Sequence, residues 1–227
     1  MPQPIVIVMV KAPRPGEVKT RLVPPLSESD AASLAACFAR DTILNAKRTV
    51  KDVLVAYTPT EARSDLEAIL PSDLHWSAQA GDNLGQRLDS VAEHAFSLGF
   101  SPLVILGAES PTLPTSFIRE TVNLLTAREA NVCLGPTEDG GYYLVGLRNP
   151  VQGLFQNIDW STPSAYEQTA ANAAKLGLRL HPLPSWYDID TPADLTHLHD
   201  EMYSSEEVRL RAPNTYRWLL DRALHLS

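Results

Sequence analysis

Four cations crowd one short stretch of this chain. Lys11, Arg14, Lys19 and Arg21 all fall within Lys11-Ala-Pro-Arg-Pro-Gly-Glu-Val-Lys-Thr-Arg21-Leu22. Pro13, Pro15 and Gly16 bar a strand or a helix there, so the cations sit on a loop. Such a loop suits an anionic ligand, above all the phosphates of a nucleotide; its plainer role is a solvated basic surface loop. The acids that could serve the same chemistry lie far along the chain. Glu109 is in Gly107-Ala-Glu-Ser-Pro-Thr-Leu-Pro114, and Asp188 and Asp190 are in Trp186-Tyr-Asp-Ile-Asp190. Mg²⁺ is usually held by one or two carboxylates together with phosphate oxygens and water. Glu109 beside a phosphate loop is therefore a candidate metal ligand, and Asp188 or Asp190 is the natural second one. The simpler roles are a solvated loop acid for Glu109 and a capped turn for the two aspartates.

The flanking elements must bring these groups together. Ile5-Val-Ile-Val-Met-Val10 is a short, unbroken apolar run rich in β-branched residues, the pattern of a strand buried on both faces of a parallel sheet. Ser27 opens a long helix with Asp30 as its capping-box partner, and Leu34, Cys37, Phe38 and Leu44 form its apolar stripe. Asp41 falls on that stripe; it either lies at the edge in water or pairs with Lys19 or Arg21 and fixes the loop. Val53–Tyr57 is a second strand, with a short helix from Pro59-Thr60 to Leu70, and Leu74–Ala78 is a weaker third. Asp82 or Asn83 caps the next helix, in which Leu84, Leu88, Val91, Ala92 and Ala95 share a face. Pro102–Gly107 is another buried strand, followed by a helix to about Ala127. Val132–Leu134 and Tyr142–Leu147 are strands around Gly135-Pro-Thr-Glu-Asp-Gly-Gly141. A helix starts at Ser161-Thr-Pro163, and Leu178–Leu183 is the last strand. Thr191-Pro-Ala-Asp194 places a cap, an N1 proline and a capping acid in order. Leu219–Leu226 reads as an amphipathic tail. The alternation implies one mostly parallel, doubly wound α/β sheet. The loops 11–21, 107–114 and 135–141 then open on one carboxyl edge, where ligands of such sheets bind.

Composition narrows the partners. The formal net charge of −8 argues against general nucleic-acid binding, which needs a basic footprint. Against that acidic background the cationic loop is a local exception suited to a small anion. Cys37 and Cys133 lie in separate apolar segments, without metal spacing, and read as buried free thiols of a cytoplasmic protein. No run reaches the ~18 apolar residues of a membrane span, and the first residues carry no signal-peptide pattern.

Lys11…Lys19-Thr-Arg21-Leu22, with the following helix and Asp41, resembles the N-terminal region of the 2-phospho-lactate guanylyltransferases. Gly107-Ala-Glu-Ser-Pro-Thr-Leu-Pro114, Gly135-Pro-Thr-Glu-Asp-Gly-Gly-Tyr-Tyr143 and Asp188-Ile-Asp-Thr-Pro-Ala-Asp194 are more similar still to a set of bacterial transferases related to those enzymes. The resemblance covers roughly residues 4–200. It implies the nucleotide-diphospho-sugar transferase, or glycosyltransferase-A, fold, a single three-layer α/β/α domain; the chain's own pattern places that domain at residues 1–203, with a C-terminal helical extension expected over 204–227. The resemblance also implies a nucleotide above the first strand. Lys11, Gly16, Lys19 and Arg21 would hold its phosphates, and Gln79, Gly81, Gly85 and Arg87 would complete the pocket. Glu109 and Asp190 would hold Mg²⁺ or Mn²⁺. Relatives usually carry Asp where this chain has Glu109, so the longer side chain shifts the metal or another carboxylate serves. Glu138, Asp139, Gly140 and Gly141 would face the acceptor, with Ser161 and Thr162 closing that side.

The expected activity is nucleotidyl transfer. An acceptor attacks the α-phosphorus of a nucleoside triphosphate, pyrophosphate leaves, and Lys19 and Arg21 stabilise the leaving group. The surplus of cations in the first loop favours this over glycosyl transfer from a nucleotide-diphosphate sugar. A nucleotide-binding protein without catalysis is the remaining alternative.

Overall fold

The computed structural model describes residues 2–222. Seven strands form one sheet: β1 (Ile5–Lys11), β2 (Asp52–Thr58), β3 (His75–Ala78), β4 (Leu103–Gly107), β5 (Val132–Pro136), β6 (Tyr142–Leu147) and β7 (Leu180–Pro182). Their order is β3-β2-β1-β4-β6-β5-β7. Pairing is parallel except around β6, which runs antiparallel to both β4 and β5. That reversal leaves β5 and β7 parallel to β1. The segments after β1, β4, β5 and β7 therefore emerge at the same carboxyl edge.

The helices are α1 (Glu28–Lys47), α2 (Arg63–Glu67), α3 (Leu84–Ser97), α4 (Thr115–Thr126), α5 (Ala165–Lys175), α6 (Pro192–Ser204), α7 (Glu206–Arg211) and α8 (Pro213–Asp221). They cover both faces of the sheet, giving three layers. Along β1, Val6, Val8 and Val10 face a core shared with α1, α2 and α4. Ile5 and Ile7 face the opposite core, shared with α3 and α5. Burial on both faces is why the strand is an unbroken apolar run. A third cluster joins Leu34 and Phe38 of α1 to Leu198 of α6, Val208 of α7 and Trp218 of α8.

The caps follow the sequence closely. Ser27 accepts from the Asp30 amide, Asn83 from the Gln86 amide, and Thr191 forms a complete capping box with Asp194. One boundary moves. The helix expected to start at Ser161-Thr162-Pro163 begins at Ala165, because the Thr162 hydroxyl turns back to the Asp159 carbonyl at 2.6 Å and holds the segment as a turn. Of the amphipathic tail at Leu219–Leu226, residues 223–226 lie outside the described residues.

Asp41 is a larger correction. It is fully buried, and it reaches neither water nor the phosphate loop. It accepts from the Asn214 amide (3.1 Å) and side chain (2.7 Å), and from the Thr215 amide (2.8 Å) and hydroxyl (2.7 Å). The carboxylate thus sits on the N-terminus of α8, where backbone donors lack helical partners and negative charge is favoured. A separation of more than 170 residues hid this pairing from sequence patterns.

Candidate active site

The carboxyl edge of the sheet holds a cavity of about 380 Å³. Its floor is apolar, with Met9, Leu84 and Leu88, and its charged wall is formed by Lys11, Lys19, Arg87, Glu109 and Asp188. Gln79 also lines it, held by donation from its side chain to the Ala56 carbonyl at 2.7 Å.

Lys19 is the centre of the charged wall. Its backbone is left-handed, at φ 49° and ψ 36°, just ahead of the short 3₁₀ turn Thr20–Leu22. That conformation is uncommon for a residue with a Cβ. Its side chain is 4% exposed, and Nζ lies 2.8 Å from Glu109 Oε1 and 2.7 Å from Asp190 Oδ1. Burial alone would lower the Lys19 pKa, but the two carboxylates outweigh it and hold the ammonium above its ordinary value. Arg21 stands outside this pair, mostly exposed, with Nη1 3.8 Å from Asp190 Oδ2.

The carboxylates are held by backbone. The Ile189 amide donates to the Glu109 carbonyl at 3.1 Å, joining the loop after β4 to the segment before α6. The Asp190 amide donates to Asp194 in the α6 capping box. From behind, the Asn45 side chain donates to the Pro111 carbonyl and the Arg211 guanidinium to the Thr112 carbonyl. Helices α1 and α7 thereby fix the loop that carries Glu109. Asp188, half-buried, accepts a hydrogen bond from the Ser110 hydroxyl. Burial pushes its carboxyl up to about 6, the Ser110 hydrogen bond opposes the rise, and Glu109 adds to it. Asp188, rather than Asp190, lines the cavity.

Lys11 Nζ donates to the Glu17 carbonyl (2.7 Å) and Arg87 Nε to the Gly81 carbonyl (3.0 Å); neither contact neutralises the cation. Gly81 has φ +125°, and a Cβ there would meet Gln86 at 2.5 Å, so it is required for the entry to α3. Gly85 faces the Phe155 carbonyl and the Trp160 ring instead of the cavity. Gly16 is exposed, near the Glu28 carboxylate. Asp139 closes its own turn, accepting from Thr137 and from the Gly141 amide. Gly140 has φ +86°, and a Cβ there would meet the Pro163 carbonyl at 2.1 Å. The 138–141 turn and the 161–163 turn are therefore packed together, with Glu138, Ser161 and Thr162 exposed beside them. Arg14 is turned away from the site. It pairs with Glu61 at 3.2 Å and Asp65 at 3.0 Å, beside α2. Arg14, expected among the loop cations that face the phosphates, is thereby removed from the site, whereas Arg87 lines the cavity as expected.

The donor set suits a divalent cation in one respect. Glu109 and Asp190 are hard oxygen ligands that already share a cation, the Lys19 ammonium. Among the described residues no group of three or more His, Cys, Asp or Glu side chains forms a metal site. Two carboxylates without a protein cage are compatible with Mg²⁺ only where phosphate oxygens and water complete its shell.

A solved protein from Desulfovibrio desulfuricans G20, assigned as a nucleotide-diphospho-sugar transferase, is 30% identical, with coverage of 100% of this chain and 97% of that one and a TM-score of 0.90. A cytidylyltransferase from Leptospira borgpetersenii serovar Hardjo-bovis shares the fold at 12% identity (TM-score 0.57; 98% and 96% covered). So does Rv0371C from Mycobacterium tuberculosis H37Rv, solved as a complex with manganese, at 14% identity (TM-score 0.51; 87% and 98% covered). No curated protein matches the chain. The family model described as "Uncharacterized protein conserved in bacteria (DUF2064)" matches residues 42–162, and with its nucleotide-diphospho-sugar transferase fold the chain belongs to that family.

Proposed function

We propose that this protein is a metal-assisted transferase acting on a nucleotide donor, and that its reaction is nucleotidyl transfer from a nucleoside triphosphate to a small acceptor. The observation that carries this reading is the cavity at the carboxyl edge. Lys11, Lys19 and Arg87 line it, and Arg21 stands beside Asp190 at its margin, in a chain whose net charge is −8. The apolar floor suits a base and ribose, and the cations suit the phosphates. Lys19 and Arg21 would stabilise charge developing on the leaving pyrophosphate. Glu109 and Asp190 would hold Mg²⁺ or Mn²⁺, which would supply Lewis-acid charge neutralisation for the donor phosphates. The acceptor would enter from the side of the 138–141 and 161–163 turns. No side chain need form a covalent intermediate, because positioning and charge stabilisation supply the rate.

Glycosyl transfer from a nucleotide-diphosphate sugar is the second reading. It is favoured by the pairing of Lys19 with two carboxylates, which lowers the net positive charge available to a triphosphate. Competition binding with nucleoside triphosphates and the matching nucleotide sugars decides between them. Nucleotidyl transfer expects the triphosphate to bind at least about tenfold more tightly, ~1.4 kcal/mol, with pyrophosphate as product. Preference for the sugar conjugate, with nucleoside diphosphate released, would move the assignment to glycosyl transfer.

A further inference from the structure

Lys19 occupies the position that the metal reading needs. Its ammonium is almost wholly buried and lies 2.8 Å from Glu109 and 2.7 Å from Asp190, the two carboxylates that would hold a divalent cation. Mg²⁺–oxygen distances are about 2.0–2.1 Å, so the two carboxylates cannot close on a metal while the ammonium lies between them. The same ammonium is a donor for phosphate, since it lines the nucleotide cavity. Two ligands therefore meet at one side chain with opposite demands. A divalent cation must displace the ammonium from the carboxylates, and a phosphate can draw it away. The backbone at Lys19 is left-handed, at φ 49° and ψ 36°.

We propose that Lys19 is a gate on the metal site: in the free protein its ammonium holds Glu109 and Asp190, the donor phosphates draw it off, and the two carboxylates pass to a divalent cation. This rests on the nucleotide-donor reading and adds an order of binding to it. Metal and Lys19 compete, whereas metal and nucleotide assist one another, and the assistance is reciprocal in free energy. Removing the gate should therefore improve metal binding to the free protein, the reverse of the usual effect of deleting a site residue.

The test is a Mn²⁺ titration of nucleotide-free protein, reading free Mn²⁺ by electron paramagnetic resonance, for the parent, Lys19→Met and Lys19→Gln. Glu109 and Asp190 are 50% and 36% exposed, so water can solvate them once the ammonium is gone, and circular dichroism checks that the variants fold. The expected result is Mn²⁺ affinity at least about tenfold higher in both variants, lost again in Lys19→Met/Glu109→Gln. Equal or weaker Mn²⁺ binding in the variants overturns the gate, as does the absence of Mn²⁺ binding in every protein. A second titration, of a nucleoside triphosphate in EDTA, isolates the underlying reading. Binding to the parent that falls at least about tenfold in Lys19→Met supports phosphate contact by Lys19. No affinity for any nucleotide in the parent refutes the nucleotide-donor reading itself, whatever the metal result.

Discussion

Replacing Asp41 should undock the C-terminal helix. The carboxylate is fully buried in α1 and receives four hydrogen bonds of 2.7–3.1 Å from Asn214 and Thr215 at the start of α8. Burial raises its pKa and those hydrogen bonds oppose the rise, so the charged form is held by the α8 donors. Asp41→Ala leaves two backbone amides and the buried Thr215 hydroxyl without acceptors. At about 1–3 kcal/mol per orphaned group, with some donors regaining water as the helix end loosens, the net cost should be about 3–5 kcal/mol, the range for breaking a buried charged contact. Asp41→Asn keeps the shape and one acceptor oxygen, and should cost about half as much. Urea denaturation measures both. Trp218 is a local reporter: it is 5% exposed and its indole donates to Ser33 on α1 at 2.7 Å. Its fluorescence should shift red in Asp41→Ala before the global transition. Nucleotide affinity of the folded variant should match the parent, since Asp41 contacts neither Lys19 nor Arg21. A loss below about 1 kcal/mol in Asp41→Ala, or a fall in nucleotide affinity greater than the fall in stability, would refute the clamp.

Two further outcomes follow from the site. Asp188 carries a carboxyl pushed up to about 6, so the native chain keeps that proton where the unfolded chain has released it. Stability should therefore fall as pH rises from about 4 to 6, by at most about 3 kcal/mol at 1.36 kcal/mol per unit, reduced to ~1–2 by solvent at the cavity rim. Asp188→Asn, which keeps an oxygen for Ser110, should remove that slope and be more stable than the parent at pH 7; parallel pH–stability curves would contradict it. Arg14→Ala should leave nucleotide affinity unchanged, because its partners are Glu61 and Asp65, whereas Arg87→Ala should weaken it by about 1.5–3 kcal/mol. Calorimetry on the two variants separates them, and equal losses would return Arg14 to the site.

Much of the scaffold is legible in local sequence signals. A strand buried on both faces needs an unbroken apolar run, and Ile5–Val10 is one. A helix start needs side-chain acceptors for its free amides, and Ser27, Asn83 and Thr191 supply them. Parallel strands share a carboxyl edge, so strand order alone brings the loops with Lys19 and Glu109 to one side of the sheet. Pairing across the chain required the tertiary structure. Lys19 and Asp190 are 171 residues apart, and their contact depends on the Ile189–Glu109 backbone bond and the α6 capping box. The antiparallel course of β6 leaves little local trace, since a buried strand is apolar in either direction. A cation's type does not reveal its partner: Arg14 and Lys19 share one loop, yet one binds acids beside α2 and the other acids after β4 and β7. The same holds for Asp41 and Gly140. Their local sequence shows a carboxylate on an apolar stripe and a glycine in a turn, and only the packed chain brings α8 and Pro163 against them.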